Sequence, residues 1–307
     1  MVNSSFGDFR HISEPSEAQM ALTDQTIKLV DGRALGYAEF GDPSGKPVLF
    51  FHGFPASRLE GIALDTPARA VGVRLIAPDR PGFGLSDPKP RRLFSDWPED
   101  VIQLVSHLRI YDFAVLGTSA GSPYVVACAD RINERLTAAG IVSGMSPLRS
   151  QAVRLAMNPD QRRMFVSVAR FPWLARRMLA RSMQEVQADF PSVLTRMAAE
   201  RPDVDKSILE RPDIKDMLRT NLTEAFRQGV AGAAQELALY PGSWHLALKS
   251  IAFPIQLWQG RRDVITPPAM AEELASVLPH TLTRWYPDEG HALLFARSEE
   301  ILRQLVS

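Results

Sequence analysis

Short apolar segments alternate with amphipathic ones along much of the chain. In each short segment the apolar residues are nearly continuous, which is typical of strands buried on both faces of a parallel sheet. The predicted strands cover residues 47–52, 73–78, 112–117, 136–143, 253–260 and 281–286. The predicted helices cover residues 57–71, 96–109, 120–131, 268–278 and 291–305. Strands that alternate with helices in this way predict an α/β fold with a mostly parallel sheet.

The N-terminal part of the chain shows two other patterns. In residues 26–41 apolar and polar residues alternate on both sides of the dipeptide D-G at 31–32, which favours a tight turn, so we expect a β-hairpin. Residues 1–24 are polar, lack a clear period and do not have the pattern of a secretory signal. We expect them to form a mobile N-terminal arm, with docking of Phe6 or Phe9 as the alternative.

The pattern changes in the middle of the chain. Residues 147–246 carry helical patterns and no convincing strand, and strand–helix alternation resumes after them. We therefore expect one α/β core, formed by residues 25–146 and 247–307, that is interrupted by a helical cap at 147–246.

The first part of this insertion is rich in arginine. Residues 149–181 hold eight arginines, and Asp160 is the only acid among them. Three interpretations stay open: a solvated outer face of the cap, a helix at 160–181 that docks on a membrane surface or a partner, and an arginine that recruits an anionic substrate group. Pro172 is expected to divide the segment into two helices.

Composition and charge exclude several classes of protein. Lys plus Arg and Asp plus Glu each total 35, which argues against a nucleic-acid binder. The single cysteine, Cys128, excludes an internal disulfide and a cysteine-based zinc site. No apolar run approaches the length that spans a bilayer, and no phosphate loop or metal-ligand spacing is present. We expect a cytoplasmic protein that uses no cofactor or metal and acts on a small molecule, and nothing indicates its oligomeric state.

The strongest local signal for chemistry is the sequence G-T-S-A-G at 117–121. It follows a predicted buried strand and opens a predicted helix. A serine between two glycines at such a junction can occupy a tight turn that holds its hydroxyl clear of the sheet. The helix that follows presents its positive end to developing negative charge. This context predicts that Ser119 is a nucleophile, although a strand–helix turn built from small residues is the simpler alternative.

A nucleophilic serine needs a base and an acid that orients the base. Of the six histidines, His291 lies just after the last predicted strand and before the terminal helix. Asp263 ends the sequence G-R-R-D after the preceding strand, where it could bind the far nitrogen of His291. The segment S-G-M-S-P at 143–147 holds no carboxylate, so the rival position for the acid is empty. The alternatives are a histidine without a catalytic role and a helix N-cap for Asp263.

Acyl transfer also needs hydrogen-bond donors for an oxyanion. The amide of Ala120, directly after the serine, is one candidate. The loop H-G-F-P at 52–55 follows a central strand, and the amide of Phe54 is the second candidate. We interpret His52 as a structural residue of that loop rather than a second base.

Taken together, these motifs resemble those of the α/β-hydrolase superfamily, over about residues 25–146 and 247–307. The resemblance rests on five segments in a fixed order: H-G-F-P, D-R-P-G-F-G-L-S-D (79–87), G-T-S-A-G, G-R-R-D and E-G-H. It implies an eight-stranded, mostly parallel sheet with a helical cap inserted after the sixth strand, and a triad in the chain order Ser119, Asp263, His291. It also implies that segment 79–87 shapes the loop beside the oxyanion site rather than taking part in the chemistry.

The resemblance narrows the expected reaction. Epoxide hydrolases and haloalkane dehalogenases of this fold attack with aspartate, but this chain has Ser119. Proline iminopeptidases usually carry tryptophan where this chain has Ala120. We expect a cofactor-independent, carboxylesterase-like serine hydrolase that cleaves an ester-like bond of a small to medium, largely apolar substrate through an acyl-enzyme. A lactonase, thioesterase or carbon–carbon bond hydrolase, and a non-hydrolytic or ligand-binding member of the fold, stay open.

Other large side chains have weaker claims on function. We expect Cys128, Trp97 and Trp258 to pack in the core, and Trp244 could line the pocket. The cap contributes many large apolar side chains, some of which should roof an apolar pocket over Ser119. These are Met157, Met164, Phe165, Phe171, Trp173, Met178, Met183 and Phe190.

Overall fold

A computed structural model describes residues 22–307 of the chain and shows an eight-stranded sheet. The strands are β1 (Gln25–Lys28), β2 (Ala34–Gly41), β3 (Lys46–Phe51), β4 (Val73–Pro78), β5 (Phe113–Thr118), β6 (Leu136–Val142), β7 (Ile255–Gly260) and β8 (Thr281–Tyr286). Their order across the sheet is β1-β2-β4-β3-β5-β6-β7-β8. Within the described part of the chain, β2 pairs antiparallel with β1 and β4, and every other strand pair is parallel. The predicted α/β fold with a mostly parallel eight-stranded sheet is confirmed.

The described residues form α-helices on both faces of this sheet and in the insertion. Those of the core are α1 (Asp65–Ala70), α2 (Trp97–His107), α3 (Ser122–Arg131), α11 (Pro268–Val277), α12 (Leu293–Ala296) and α13 (Ser298–Leu305). Those between β6 and β7 are α4 (Gln151–Ala156), α5 (Pro159–Arg162), α6 (Pro172–Ala188), α7 (Phe190–Ala199), α8 (Asp203–Leu209), α9 (Pro212–Ala225) and α10 (Ala231–Leu237).

Two predicted helices differ from those observed. The segment predicted as one helix at 57–71 is a 3-10 helix over Arg58–Leu64 that continues into α1. The predicted terminal helix is divided in two, because Arg297 between α12 and α13 leaves helical geometry at φ −127° and ψ 25°. The amphipathic pattern found the buried face in both cases, but periodicity alone does not distinguish a continuous helix from two short ones.

The continuous apolar sequence of β3 reflects burial on both faces of the sheet. Val48 and Phe50 point into the core beneath α1 and α13, while Leu49 and Phe51 point into the core beneath α2, α3 and α11. All four side chains are fully buried. Side chains alternate between the two faces of a strand. When helices cover both faces, the residues on both faces are apolar, so the sequence shows a continuous apolar segment instead of alternation.

Residues between β6 and β7 form helices, and no strand occurs among the described residues of this segment. Helix α6 begins at Pro172, directly after a short 3-10 helix, so the predicted break at this proline is confirmed. Apolar side chains of α6, α9 and α10, including Leu179, Ala225 and Leu237, form a small core of their own. The division into a core and a cap with the stated boundaries stays a prediction.

The predicted N-terminal arm lies mostly outside the described residues, and so do Phe6 and Phe9. Its last residues are held by the core, since Arg58 donates from Nε to the carbonyl oxygen of Thr23 and forms an ion pair with Asp24, each at 2.5 Å. None of the helices in residues 22–307 combines the length and apolar character that a membrane span needs.

Candidate active site

Ser119 lies in a sharp turn at the carboxyl end of the central strand β5. Its backbone is in the left-handed region at φ 52°, and a 3-10 turn over Ser119–Gly121 leads directly into α3. A Cβ atom at Gly117 would lie 2.7 Å from Val125 of α3, and one at Gly121 would lie 2.2 Å from the carbonyl oxygen of Phe51. The two glycines therefore permit the close approach of strands and helix that holds Ser119 in this turn.

His291 and Asp263 come together at the ends of the two neighbouring strands β8 and β7. The Nδ1 atom of His291 lies 2.9 Å from Oδ2 of Asp263, and the carboxylate side chain is fully buried. The same Nδ1 atom lies 3.0 Å from the hydroxyl oxygen of Thr266. The pair has the geometry that holds a proton on Nδ1 and leaves Nε2 as the basic nitrogen.

The Asp263 carboxylate accepts hydrogen bonds on both of its oxygens. Oδ1 accepts from the backbone N–H groups of Ile265 and Thr266 at 2.8 and 2.9 Å. Oδ2 accepts from Gln259 at 3.2 Å in addition to His291. Burial raises the pKa of Asp263, but the charge of His291 and the hydrogen bonds from His291 and Thr266 outweigh it and hold the pKa below its usual value. Asp263 is therefore kept ionised beside His291.

A second buried carboxylate, from the insertion, holds the backbone of the His291 loop. Asp205 of α8 accepts from the backbone N–H of His291 at 2.9 Å and from that of Ala292 at 3.0 Å. A Cβ atom at Gly290 would lie only 2.4 Å from this carboxylate. The glycine before His291 thus makes room for Asp205, and the insertion takes part directly in placing the histidine.

The loop after β3 brings the Phe54 amide to the same end of the sheet. Neither the N–H of Phe54 nor that of Ala120 donates a hydrogen bond to any group among residues 22–307. The preceding N–H, of Gly53, donates at 2.7 Å to the carboxylate of Glu60. Burial raises the pKa of Glu60, and the Gly53 hydrogen bond and the charge of Arg80 only partly oppose it. The two candidate oxyanion donors therefore have no hydrogen-bond acceptor among residues 22–307.

Two buried charged residues of segment 79–87, Asp79 and Arg80, hold the loop after β3 in place. Asp79 accepts from the backbone N–H of Arg58 at 2.6 Å and from its guanidinium at 2.8 Å, and burial raises the pKa of Asp79 to about 6. Arg80 donates to the carbonyl oxygens of His52 and Gly53, the latter at 2.9 Å. The Gly53 carbonyl and the Phe54 N–H belong to one peptide group, so Arg80 fixes the plane of a candidate oxyanion donor.

Arg80 is itself held by Glu236, a fully buried carboxylate of α10 in the insertion. Glu236 accepts from Arg80 at 2.6 Å, from Arg92 at 2.6 Å, from Tyr124 at 2.7 Å and from Tyr240 at 2.8 Å. Burial raises the pKa of Glu236, but the two guanidinium groups outweigh this effect and hold the pKa well below its usual value. The Tyr240 hydroxyl also lies 3.0 Å from the carbonyl oxygen of Ala120, so this network contacts the residue that carries the second candidate oxyanion donor.

We expect Glu236→Gln to destabilise the protein by about 3–5 kcal/mol, as the loss of one partner of a buried ion pair does. The glutamine NH₂ would face guanidinium groups that can only donate, and two buried positive charges would lose their counter-charge. Denaturant unfolding measures the change. The matched control is Glu272→Gln, which removes an exposed ion pair with Arg261 and should cost under about 1 kcal/mol. Equal effects of the two substitutions would contradict this account of Glu236.

Ser119, Phe54 and His291 line one cavity of about 300 Å³ beneath the insertion. Its apolar wall comes mainly from α6 to α9 and the turn that follows α9. These residues are Val186, Val193, Met197, Leu209, Leu218, Leu222 and Phe226. The charged residues of the lining are Glu60, Glu185, Arg196 and Arg201. Among residues 22–307, no cluster of His, Cys, Asp and Glu side chains could hold a metal ion.

The residues expected to roof this cavity are not the ones that line it. None of the eight, Met157, Met164, Phe165, Phe171, Trp173, Met178, Met183 and Phe190, is part of the lining. Met157 is buried in the main core, most of the others pack among the helices of the insertion, and Phe171 and Trp173 are exposed. The prediction was wrong because thin helices need large side chains to pack on one another, which leaves the roof to other residues.

Several residues have the structural roles that the sequence predicted for them. His52 is fully buried, and burial together with the charge of Arg80 holds its pKa well below the usual value, so it stays neutral. Its Nε2 accepts from the backbone N–H of Arg80 at 3.3 Å. Cys128 is a buried free thiol, and Trp97 and Trp258 are packed in the two cores. Trp244 is buried as well but does not line the cavity.

Residues 46–297 match the model of the alpha/beta hydrolase fold family, and the chain belongs to that family. It is 25% identical over 287 residues to a non-heme haloperoxidase of Rhodococcus erythropolis, a match that covers 90% of this chain and 96% of that protein. It is 31% identical over 137 residues to a non-heme chloroperoxidase of Streptomyces lividans, but this match spans only 49% of the relative and 44% of this chain.

Solved structures of esterases share the fold. A thermophilic esterase from Thermogutta terrifontis superposes with a TM-score of 0.64 at 23% identity, covering 92% of this chain and 96% of that one. An esterase from Exiguobacterium antarcticum superposes with a TM-score of 0.63 at 17% identity, covering 92% and 98%. At these identities the likeness shows the fold alone, and membership of the alpha/beta hydrolase fold family supports a hydrolase.

Proposed function

We propose that the protein is a serine hydrolase that cleaves an ester through an acyl-enzyme. Ser119 Oγ attacks the carbonyl carbon, and Nε2 of His291 takes the hydroxyl proton. The amides of Phe54 and Ala120 donate to the oxyanion of the tetrahedral intermediate. When it collapses, the alcohol leaves with the proton from His291. Water, activated by the same nitrogen, then releases the acid and restores Ser119.

The observation that supports this proposal best is the 2.9 Å hydrogen bond between Asp263 and His291, because His291 lines the same cavity as Ser119. A histidine held through Nδ1 by an ionised acid has one free nitrogen, which suits it to act as a base. The serine occupies the left-handed turn that hydrolases of this kind use for the nucleophile. The N–H groups of Phe54 and Ala120 can donate hydrogen bonds to the substrate's carbonyl oxygen when it becomes negatively charged.

The cavity supports a substrate of small to medium size with an apolar part. Its volume of about 300 Å³ lies at the lower end of the range for ligand pockets. The charged residues in its lining are already engaged. Glu60 accepts from Gly53, and Glu185 forms an ion pair with Arg196 at 2.5 Å. Arg201 donates from Nε to the carbonyl oxygen of Met197 and lies 3.9 Å from Asp205. The apolar side chains opposite them are left to contact an acyl or alcohol chain.

We expect Val193→Phe to shift the preference of the enzyme toward shorter acyl groups. Val193 lines the cavity from α7 and is partly exposed, so a larger ring can be accommodated without displacing the core. The ring fills space that a long acyl chain would use, and kcat/KM for the longer esters should fall about tenfold or more relative to acetate. The measurement is kcat/KM over a series of p-nitrophenyl esters from acetate to decanoate.

The matched control is Thr195→Phe, two residues along α7. Thr195 is exposed and does not line the cavity, so this variant should keep the ranking of the parent enzyme. If both variants keep that ranking while ester hydrolysis persists, the cavity does not bind the acyl chain. If the parent hydrolyses none of the esters, the proposal of an esterase itself fails.

A further inference from the structure

Positive charge without matching acids lies at the start of helix α6 and just before it, whereas Arg181 further along the helix pairs with Glu185. Residues 161–184 contain six arginines and no acidic residue. Arg170, Arg176 and Arg177 are exposed and form no ion pair with any acid among residues 22–307. Some exposed arginines elsewhere are paired, for example Arg211 with Asp213 and Arg303 with Glu299.

Two large aromatic side chains stand on the same surface. Trp173 is 68% exposed and Phe171 is 53% exposed. The other four tryptophans are buried or covered: Trp97, Trp244 and Trp258 lie in the interior, and Trp285 is stacked by Arg261 at 3.6 Å. Soluble monomers seldom leave neighbouring large aromatic groups uncovered, so a cluster of them marks a surface that contacts something.

Helical geometry places the tryptophan and two arginines on one face of α6. Residues three and four positions apart on a helix are neighbours, so Trp173 adjoins both Arg176 and Arg177. The buried residues of the helix, Ala175 and Leu179, belong to the opposite face, which packs on α9 and α10. The aromatic and cationic groups therefore face away from the protein together. We call Arg170, Phe171, Trp173, Arg176 and Arg177 the Trp173 patch.

The chemistry of the Trp173 patch fits one kind of partner. Its unpaired arginines are complementary to a surface that carries many negative charges. Transfer of tryptophan and phenylalanine side chains to the boundary between polar headgroups and acyl chains is favourable. Arginine can keep its charged group among the headgroups while its methylene groups contact the acyl chains. An anionic phospholipid surface satisfies both requirements.

We propose that the Trp173 patch docks the protein on membranes that contain anionic phospholipid. The docking is peripheral, since none of the described helices is long and apolar enough to cross a bilayer. The inner side of α6 contributes Ser182, Glu185 and Val186 to the cavity that contains Ser119. Docking would therefore place a wall of this cavity close to the lipid surface. The inference does not depend on the proposed chemistry of Ser119.

Flotation of the whole protein with large vesicles tests the inference. One set contains phosphatidylcholine alone, and the other contains phosphatidylcholine mixed with phosphatidylserine. We expect binding to the mixed vesicles only, weakening as salt is raised, because surface charges are screened within a Debye length. Arg176→Glu with Arg177→Glu should reduce the bound fraction at least about tenfold. On binding, the Trp173 fluorescence should shift to shorter wavelength and be quenched by brominated lipid, and Trp173→Phe should remove this signal.

The matched control reverses the charge of two arginines outside the Trp173 patch, in the double variant Arg211→Glu with Arg303→Glu. Both are exposed, Arg211 directly before α9 and Arg303 in α13, so this variant should bind vesicles like the parent. Circular dichroism and thermal unfolding test whether each variant is folded. If the charge-reversal variant is not folded, Arg176→Gln with Arg177→Gln takes its place. Equal binding to both kinds of vesicle, equal loss in the control, or binding to soluble polyanions such as heparin but not to vesicles would each overturn the inference.

Discussion

Ser119→Ala should reduce kcat/KM for an activated ester by about four to six orders of magnitude, because the substitution removes the atom that forms the acyl-enzyme. His291→Ala should cost a similar factor, since without a base the hydroxyl is a weak nucleophile. Both side chains line the cavity rather than the core, so the variants should stay folded. Steady-state kinetics with p-nitrophenyl butyrate, with thermal unfolding as the check on folding, measures the effect.

The double variant gives the sharper result. If Ser119 and His291 act as one unit, removing both should cost little more than removing either, and the residual rate should come from binding and the oxyanion donors. Multiplicative losses in the double variant would mean that the two residues act independently. In that case the assignment of nucleophile and base would be wrong, whatever the size of each single effect.

Asp263→Asn should reduce kcat by about 10⁴-fold while the fold is retained. The reason lies in the hydrogen bonds around the carboxylate. The N–H groups of Ile265 and Thr266 that bind Oδ1 can only donate, so the amide oxygen of an asparagine must take that position. Its NH₂ group must then face Nδ1 of His291, which forces the histidine proton onto Nε2. A histidine in that tautomer cannot take the proton of Ser119.

Thr266→Val is the matched control for this prediction. It removes a hydroxyl that lies 2.8 Å from Oδ2 of Asp263 but leaves the Asp263–His291 hydrogen bond in place. The loss of one hydrogen bond of this kind should cost under about tenfold in kcat. An Asp263→Asn enzyme within tenfold of the parent would show that Asp263 does not set the tautomer of His291.

The sequence predicted the sheet well because its strands are buried on both faces. The strands at 73–78 and 281–286 have the predicted bounds, and β3, β5, β6 and β7 differ by one or two residues. Continuous apolar segments of this length, separated by amphipathic ones, have few alternatives to buried parallel strands. The helices are predicted less well at their ends, where 3-10 turns and a break at Arg297 depend on local geometry rather than on period.

The sequence predicted the candidate site residues that follow strands, but it missed the ones that come from the insertion. Ser119, Asp263 and His291 each follow a parallel strand, and the carboxyl ends of such strands meet at one edge of a sheet. Asp205 and Glu236 lie on helices of the insertion and reach this edge only through tertiary packing. No periodicity or spacing in the sequence marks them, since each is one acid among many on a helix.

The choice of cavity-lining residues failed for a related reason. Large apolar residues such as Met178 and Phe190 were expected over Ser119, but they join the helices of the insertion to one another. The side chains that line the cavity with Ser119 include Val193 and Leu222, which do not stand out in the sequence. Hydrophobicity identifies a buried side, but it does not distinguish a core from the wall of a cavity.

Covalent labelling with a fluorophosphonate tests the central claim most directly, because this reagent reacts with serines that are activated as nucleophiles. The account predicts a single adduct by intact mass, mapped by peptide sequencing to Ser119, absent in Ser119→Ala and strongly slowed in His291→Ala. No adduct on the parent protein, or an adduct on another residue that survives Ser119→Ala, would contradict it.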